Sequence, residues 1–227
     1  MKIQAIIPTG GLGTRLKAKD PKPLLLLNQK PIFIYTLEVF EQSSLVHSVI
    51  LVVHKDYLND FEKVIRKYKL KKVTKIIAGG VTRSESVANG LRVVDEDTDI
   101  VVVHDGVRPF VSVPLIEYSI AACREHGAAV VAVPVKPTIK RANQDLFVAE
   151  TLRRDELWEI QTPQTFKKDI LLKAHQQGKN VPVTDDASLV EQLGYKVKIV
   201  AGDYRNIKIT TPEDLVVAES FLKNGNG

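Results

Sequence analysis

Cysteine is almost absent from this 227-residue chain: a single one, Cys123, excludes an internal disulfide and any multi-cysteine zinc site. That scarcity fits a reducing compartment, and the cytoplasm is expected. No apolar run approaches the ~18 residues that a membrane span requires, so no membrane partner is expected. The N-terminal MKIQAIIPTGG carries one lysine before a strand-length apolar stretch, too short for the hydrophobic core of a signal peptide. Aromatic residues make up only 6% of the chain, and no stacking motif accompanies its net charge of +5. The charge is therefore not read as a nucleic-acid surface. Its one dense run, KVIRKYKLKK at 63–72, has the composition of a helix end with a solvated face. A phosphorylated small-molecule ligand, or plain solubility, accounts for the excess of lysine and arginine.

What is present is ordinary for one large globular domain: 44% hydrophobic and 26% charged residues in a length that can bury a sizeable core. Strand-like apolar runs read at 3–8, 48–53, 73–78, 99–104, 128–135 and 196–202. Helical periods lie between and beyond them at 31–42, 57–69, 84–94, 113–126, 166–178, 184–194 and 211–223. Start signals include Ser84, the Thr184-Asp185-Asp186 run, and Thr211 ahead of Pro212. Near-continuous apolar strands joined by amphipathic helices predict a Rossmann-like α/β fold, a mostly parallel sheet with helices on both faces. Residues 136–157 break the alternation, being polar with an internal ANQD turn signal. They read as a protruding β-hairpin arm on a single domain spanning 1–227, and since a lone hairpin is marginal, the arm is expected to pack on a partner subunit.

The densest chemistry follows the first strand, in PTGGLGTRLKAKDPKPLL at 8–25. Ligands of open α/β sheets bind beyond the carboxyl ends of the strands, where this loop begins. No lysine follows its last glycine, which excludes a P-loop, and Leu16 stands where a dinucleotide fingerprint needs its third glycine. What remains is a glycine-rich turn whose backbone N–H groups can wrap phosphate oxygens, with Arg15 and Lys22 close behind. A triphosphate substituted at its α-phosphorus needs cations where negative charge builds.

GGLGTR with DPKPLL resembles the signature of nucleotidyltransferases that activate sugars and polyol phosphates. AGGVTRSESVANGL (78–91), VHDGVRPFV (103–111), QTPQTF (161–166), TDDASLVE (184–191) and NIKITTPEDL (206–215) then resemble, in order, motifs of the 2-C-methyl-D-erythritol 4-phosphate cytidylyltransferases. The resemblance implies CMP transfer from CTP to that polyol phosphate in isoprenoid precursor biosynthesis, by a homodimer. It implies that Thr9, Gly10, Gly11 and Gly13 cradle the triphosphate and that Arg15 and Lys22 stabilise the transition state. Gly79, Gly80, Arg83 and Ser86 would face the base. Asp105, at the carboxyl edge of a strand, is the candidate ligand for Mg²⁺, a hard cation that takes carboxylate and phosphate oxygens. Arg108 could meet a phosphate bidentately. Thr138 and Arg154 fall where the family's arm grips the polyol phosphate, Lys208 would position the attacking phosphate, and Thr184 and Asp185 would lie near the polyol. Thr9, Pro23 and Pro137 depart from the family pattern. A ribitol 5-phosphate cytidylyltransferase and a non-catalytic nucleotide-binding protein stay open as alternatives.

Overall fold

The computed structural model describes residues 1–9, 22–178 and 183–224. In chain order its elements begin with β1 (Lys2–Pro8), the two-residue strands β2 (Leu26–Leu27) and β3 (Lys30–Pro31), α1 (Ile32–Gln42), β4 (Ser48–Val53) and α2 (Leu58–Tyr68). Then come β5 (Val73–Ala78), α3 (Arg83–Leu91), β6 (Thr98–Val103), α4 (Val113–His126) and β7 (Ala128–Pro134). The chain continues through β8 (Lys140–Ala142), β9 (Val148–Thr151), β10 (Trp158–Lys167), α5 (Lys168–Gln177), α6 (Asp186–Gln192), β11 (Lys198–Ala201) and α7 (Pro212–Asn224).

Successive side chains of a strand point to opposite faces, so unbroken apolar runs need cover on both. Ile3, Ala5 and Ile7 of β1 pack with Phe33 of α1, Phe61 of α2 and Ile116 of α4. Ile6 turns the other way, into a cluster with Val87 of α3, Leu171 of α5 and Val190 of α6. A smaller cluster of Leu27, Ile32, Val107, Ile209 and Ala218 seats α7. Seven strands form one sheet in the order β11-β7-β10-β6-β1-β4-β5. The pairs β1–β4, β1–β6, β4–β5 and β7–β11 are parallel, and β10 runs antiparallel between β6 and β7. The mostly parallel α/β expectation therefore holds. The chain leaves β1 toward β4 and β6 toward β7, on opposite sides, so the carboxyl ends of these two neighbours border a crevice.

Two expectations are corrected. The antiparallel strand β10 has no counterpart among the expected strands, and Phe166 and Lys167 belong to it rather than to the helix expected from 166. Its buried stretch is largely polar, Gln161, Thr162, Gln164 and Thr165 all being covered, so it lacks an apolar signature. Helix α3 is capped by Thr82 and not by Ser84: Thr82 Oγ1 accepts from Glu85 N–H, and Glu85 reaches back in a complete capping box. Residues 136–157 include the hairpin of β8 and β9, every residue of which is exposed. Asn143 Oδ1 accepts from Phe147 N–H at 2.8 Å across its turn.

Candidate active-site cleft

Where β1 ends, Thr9 is buried with its backbone N–H and Oγ1 both donating to the Val52 carbonyl, at 2.7 and 2.9 Å. Gly106 lies against it so closely that an added Cβ would sit 2.3 Å from Thr9 Cγ2, so a side chain is excluded there. Thr9 thus ties β1 to β4 and shapes the crevice with its N–H and hydroxyl both satisfied. Gly10, Gly11, Gly13 and Arg15 fall outside the described residues, and Lys22 opens a single 3-10 turn. Gly79 and Gly80 lead into α3, where Ser86 Oγ accepts from Gly80 N–H at 3.1 Å and donates to the Thr82 carbonyl at 2.9 Å. A Cβ on Gly79 would lie 2.7 Å from that hydroxyl. Ser86, expected to face a base, here holds the glycine turn in shape.

Asp105, just past β6, gathers the remaining cations. Its Oδ1 accepts from Arg83 Nε and its Oδ2 from Lys208 Nζ, each at 2.8 Å, with Arg108 Nε 3.8 Å from Oδ2. Arg83, expected at the base, instead spans two carboxylates: its Nη1 donates to Asp186 Oδ2 at 2.7 Å. Arg108 Nη1 donates to the Asn206 carbonyl at 2.7 Å, while its Nε is buried without a hydrogen bond. The Asp105 N–H donates to Thr162 Oγ1 at 3.1 Å, and that hydroxyl lies 3.0 Å from His104 Nδ1. His104 Nε2 sits 3.3 Å from the Arg108 carbonyl. One assignment satisfies all three contacts: Thr162 donates to Nδ1, and the imidazole carries its proton on Nε2.

Burial sets the electrostatics. It pushes His104 down to about 3, so the ring is neutral at any physiological pH. Burial alone would raise Asp105 and Asp186. For Asp105 it is overcome by Arg83, Lys208 and Arg108, and for Asp186 by Arg83 and His175, so both carboxyls lie below their ordinary range and stay charged. Arg108 is lowered by burial, partly offset by Asp105.

These side chains open onto a cleft of about 310 Å³. Arg83, Arg108 and Lys208 supply its positive charge; Thr184, Asp185, Ser188 and Glu191, from α6 and its approach, supply hydroxyls and carboxylates. Asp185 also caps α6, accepting from Ser188 N–H at 3.1 Å and from Gln164 Nε2 at 2.8 Å. Thr138 and Arg154 are exposed on the arm and do not line the cleft; Arg154 Nη1 donates to the Lys136 carbonyl at 2.9 Å.

The expected metal ligand does not fit that role in this arrangement. Both oxygens of Asp105 are committed to cations, and among the described residues no cluster of three His, Cys, Asp or Glu side chains could hold an ion. Sequence reasoning also missed Thr162, Gln164, Asn206, His175 and Asp186. Thr162 and Gln164 stand inside QTPQTF, Asn206 opens NIKIT and Asp186 stands in TDDASLVE, so a motif marked each of these; His175 carried no signal.

The family model of 2-C-methyl-D-erythritol 4-phosphate cytidylyltransferase matches residues 3–224 of the chain. Proteins of that name from Alkaliphilus oremlandii and Pelotomaculum thermopropionicum are 46% and 47% identical to it. The matches cover 98% and 100% of this chain and 95% and 96% of theirs. The crystal structure of 4-diphosphocytidyl-2C-methyl-D-erythritol synthase from Anaerococcus prevotii superposes with a TM-score of 0.88 at 34% identity, covering 98% of this chain and 96% of that one.

Proposed function

The chain belongs to the 2-C-methyl-D-erythritol 4-phosphate cytidylyltransferase family, CTP-dependent nucleotidyltransferases of isoprenoid synthesis, and from that premise we propose which acceptor it uses and which residues serve the reaction. The acceptor is 2-C-methyl-D-erythritol 4-phosphate; the products are 4-diphosphocytidyl-2-C-methyl-D-erythritol and pyrophosphate. The observation that carries the reading is Lys208, 36% exposed, held 2.8 Å from buried Asp105 at the mouth of a cleft that also presents Thr184 and Asp185.

A phosphate monoester reaches the cleft already anionic, so its attack on the α-phosphorus needs no general base. One P–O bond forms as the bond to pyrophosphate breaks, and negative charge builds on the equatorial and leaving oxygens. Lys208 and Arg108 are assigned to the acceptor phosphate, and Arg15 and Lys22 to the triphosphate, so that catalysis is in-line positioning and charge neutralisation. Thr184 and Asp185 are placed to meet the polyol hydroxyls. Gly10, Gly11 and Gly13 are assigned to the triphosphate, with Gly79, Gly80 and Ser86 framing the nucleotide. Mg²⁺ is proposed as the cofactor; with the Asp105 carboxylate already paired, the ion would be held chiefly by phosphate oxygens of the substrate and would help neutralise their charge.

The arm is assigned to a second copy of the chain. It carries Thr138 and Arg154 away from their own cleft, and it exposes Leu146, Phe147 and Val148 by 86, 71 and 62%. A homodimer with shared sites accounts for both. No helix among the described residues is long and apolar enough to cross a membrane, and the cytoplasm suits the single reduced cysteine.

Pyrophosphate release with CTP and Mg²⁺ tests the reading, comparing 2-C-methyl-D-erythritol 4-phosphate with ribitol 5-phosphate and using Lys22→Ala as control. Release with the methylerythritol ester alone, lost in the variant, is expected. Release with the ribitol ester alone would keep the chemistry and change the acceptor; silence with both would remove the enzyme reading for these substrates.

A further inference from the structure

Behind the cleft, the chain of charges continues past Arg83. Asp186 is 1% exposed, and its second oxygen, Oδ1, lies 2.9 Å from His175 Nε2. His175 stands on α5, Asp186 opens α6, Arg83 opens α3 and Asp105 follows β6, so consecutive side chains join four elements. A carboxylate is free to rotate about its Cβ–Cγ bond until its oxygens are engaged. A donor on Oδ1 fixes the plane in which Oδ2 meets Arg83 Nη1. Arg83, so held, offers Nε to Asp105 Oδ1, and that contact leaves Oδ2 facing Lys208. The His175 side chain is 7% exposed and does not line the cleft.

Resting on the cytidylyl-transfer reading above, we propose that His175 is a positioning residue for that reaction. By donating from Nε2 it orients Asp186, and through Arg83 it orients the Asp105 carboxylate that places Lys208. The backbone at this point is secured separately: Gln164 Oε1 accepts from the N–H groups of Asp186 and Ala187 at 3.1 and 3.3 Å. Loss of the imidazole therefore frees Asp186 Oδ1 while Gln164 still holds the start of α6. Turnover falls through the misplaced Lys208, beside the stability lost with any buried partner.

A pair of polar substitutions separates orientation from packing. In His175→Gln the amide nitrogen lies near the position of Nε2; in His175→Asn it lies near Nδ1, out of reach of Asp186. H175Q should keep kcat within roughly threefold of wild type, and H175N should lose about tenfold in kcat with KM for CTP unchanged, the loss a remote misplacement brings. Equal kcat in the two variants, whether at the wild-type level or equally reduced alongside melting temperature, overturns the proposal. A second readout needs no turnover. In ¹⁵N NMR of the full chain, Lys208→Met should shift the His175 Nε2 resonance through the connected side chains, and an unmoved resonance overturns the coupling even if H175N does not fold. A wild-type protein inactive on both polyol phosphates, yet showing that shift, would count against the proposed reaction and leave the side-chain coupling standing.

Discussion

The cleft and the arm both carry close ion pairs, and distance alone does not tell them apart. In the cleft, Arg83 meets Asp105 at 2.8 Å and Asp186 at 2.7 Å, with the two carboxylate side chains 7 and 1% exposed. On the arm, Arg153 meets Asp155 at 2.9 Å and Arg141 meets Glu150 at 3.2 Å, with all four side chains at least half exposed. Water competes for the arm pairs and salt screens them, so each contributes roughly 0–1 kcal/mol. In the cleft the two carboxylates are already desolvated, and removing a partner strands the buried charge. The two regions therefore use the same residue types for different ends. Cleft pairs hold geometry; arm pairs keep a projecting hairpin soluble while its apolar tip waits for the partner proposed above.

The sharpest break of that contrast is Asp186→Ala. It leaves Arg83 Nη1 and His175 Nε2 without their acceptor in a buried setting and should cost about 3–5 kcal/mol in urea unfolding. A loss under about 1 kcal/mol would put the cleft pairs in the same class as the arm's. Next comes Lys208→Ala, which removes the cation assigned to position the acceptor phosphate for in-line attack and should lower kcat by about 10²-fold. Because Asp105 keeps Arg83, with Arg108 Nε 3.8 Å away, the melting temperature should hardly move. A melting temperature that falls as steeply as kcat would make Lys208 a structural brace.

Legibility in the sequence divided along the same line. The runs of β1, β4, β5, β6 and β7 announce themselves because every second residue enters one of two apolar layers, and the hairpin announces itself by polarity and its turn. Strand β10 was hidden because its central buried side chains are polar, and those are the side chains that brace the site: Thr162 under Asp105, Gln164 under α6. Asp105 and Lys208 were legible from motifs beside a strand end and in a loop. The pairing of Asp186 with His175 was not, since a helical period shows which residues share a face but not which side chain on another helix they meet. Only the fold reveals that Arg83 on α3 and His175 on α5 both meet the Asp186 carboxylate that opens α6.

A smaller effect sharpens the picture by pH. His104 is buried and neutral in the folded chain, its pKa pushed from 6.5 to about 3. As pH falls below 6.5 the unfolded chain takes up a proton that the folded chain refuses, so stability is lost progressively down to about pH 3. The loss attributable to this ring should be roughly 1 kcal/mol over the first pH unit below that point. His104→Gln, which takes no proton, should flatten the urea-derived stability over that interval by the same amount; an unchanged slope would mean that the folded ring does titrate.

The smallest expected effect is on the arm. Arg141→Ala removes a cross-strand partner of Glu150, and both side chains are exposed, 67 and 50%, so the freed carboxylate returns to water at little cost. The unfolding free energy should change by less than about 0.5 kcal/mol. At 1 M salt, where screening acts over about 3 Å, even that difference should vanish. The Asp186→Ala loss should persist at the same salt, because ions do not reach a carboxylate that is 1% exposed. An Arg141 effect of about 2 kcal/mol, insensitive to salt, would mean that the arm is desolvated against the body of a second copy even in the free protein, and the contrast between the two regions would become one between two buried networks.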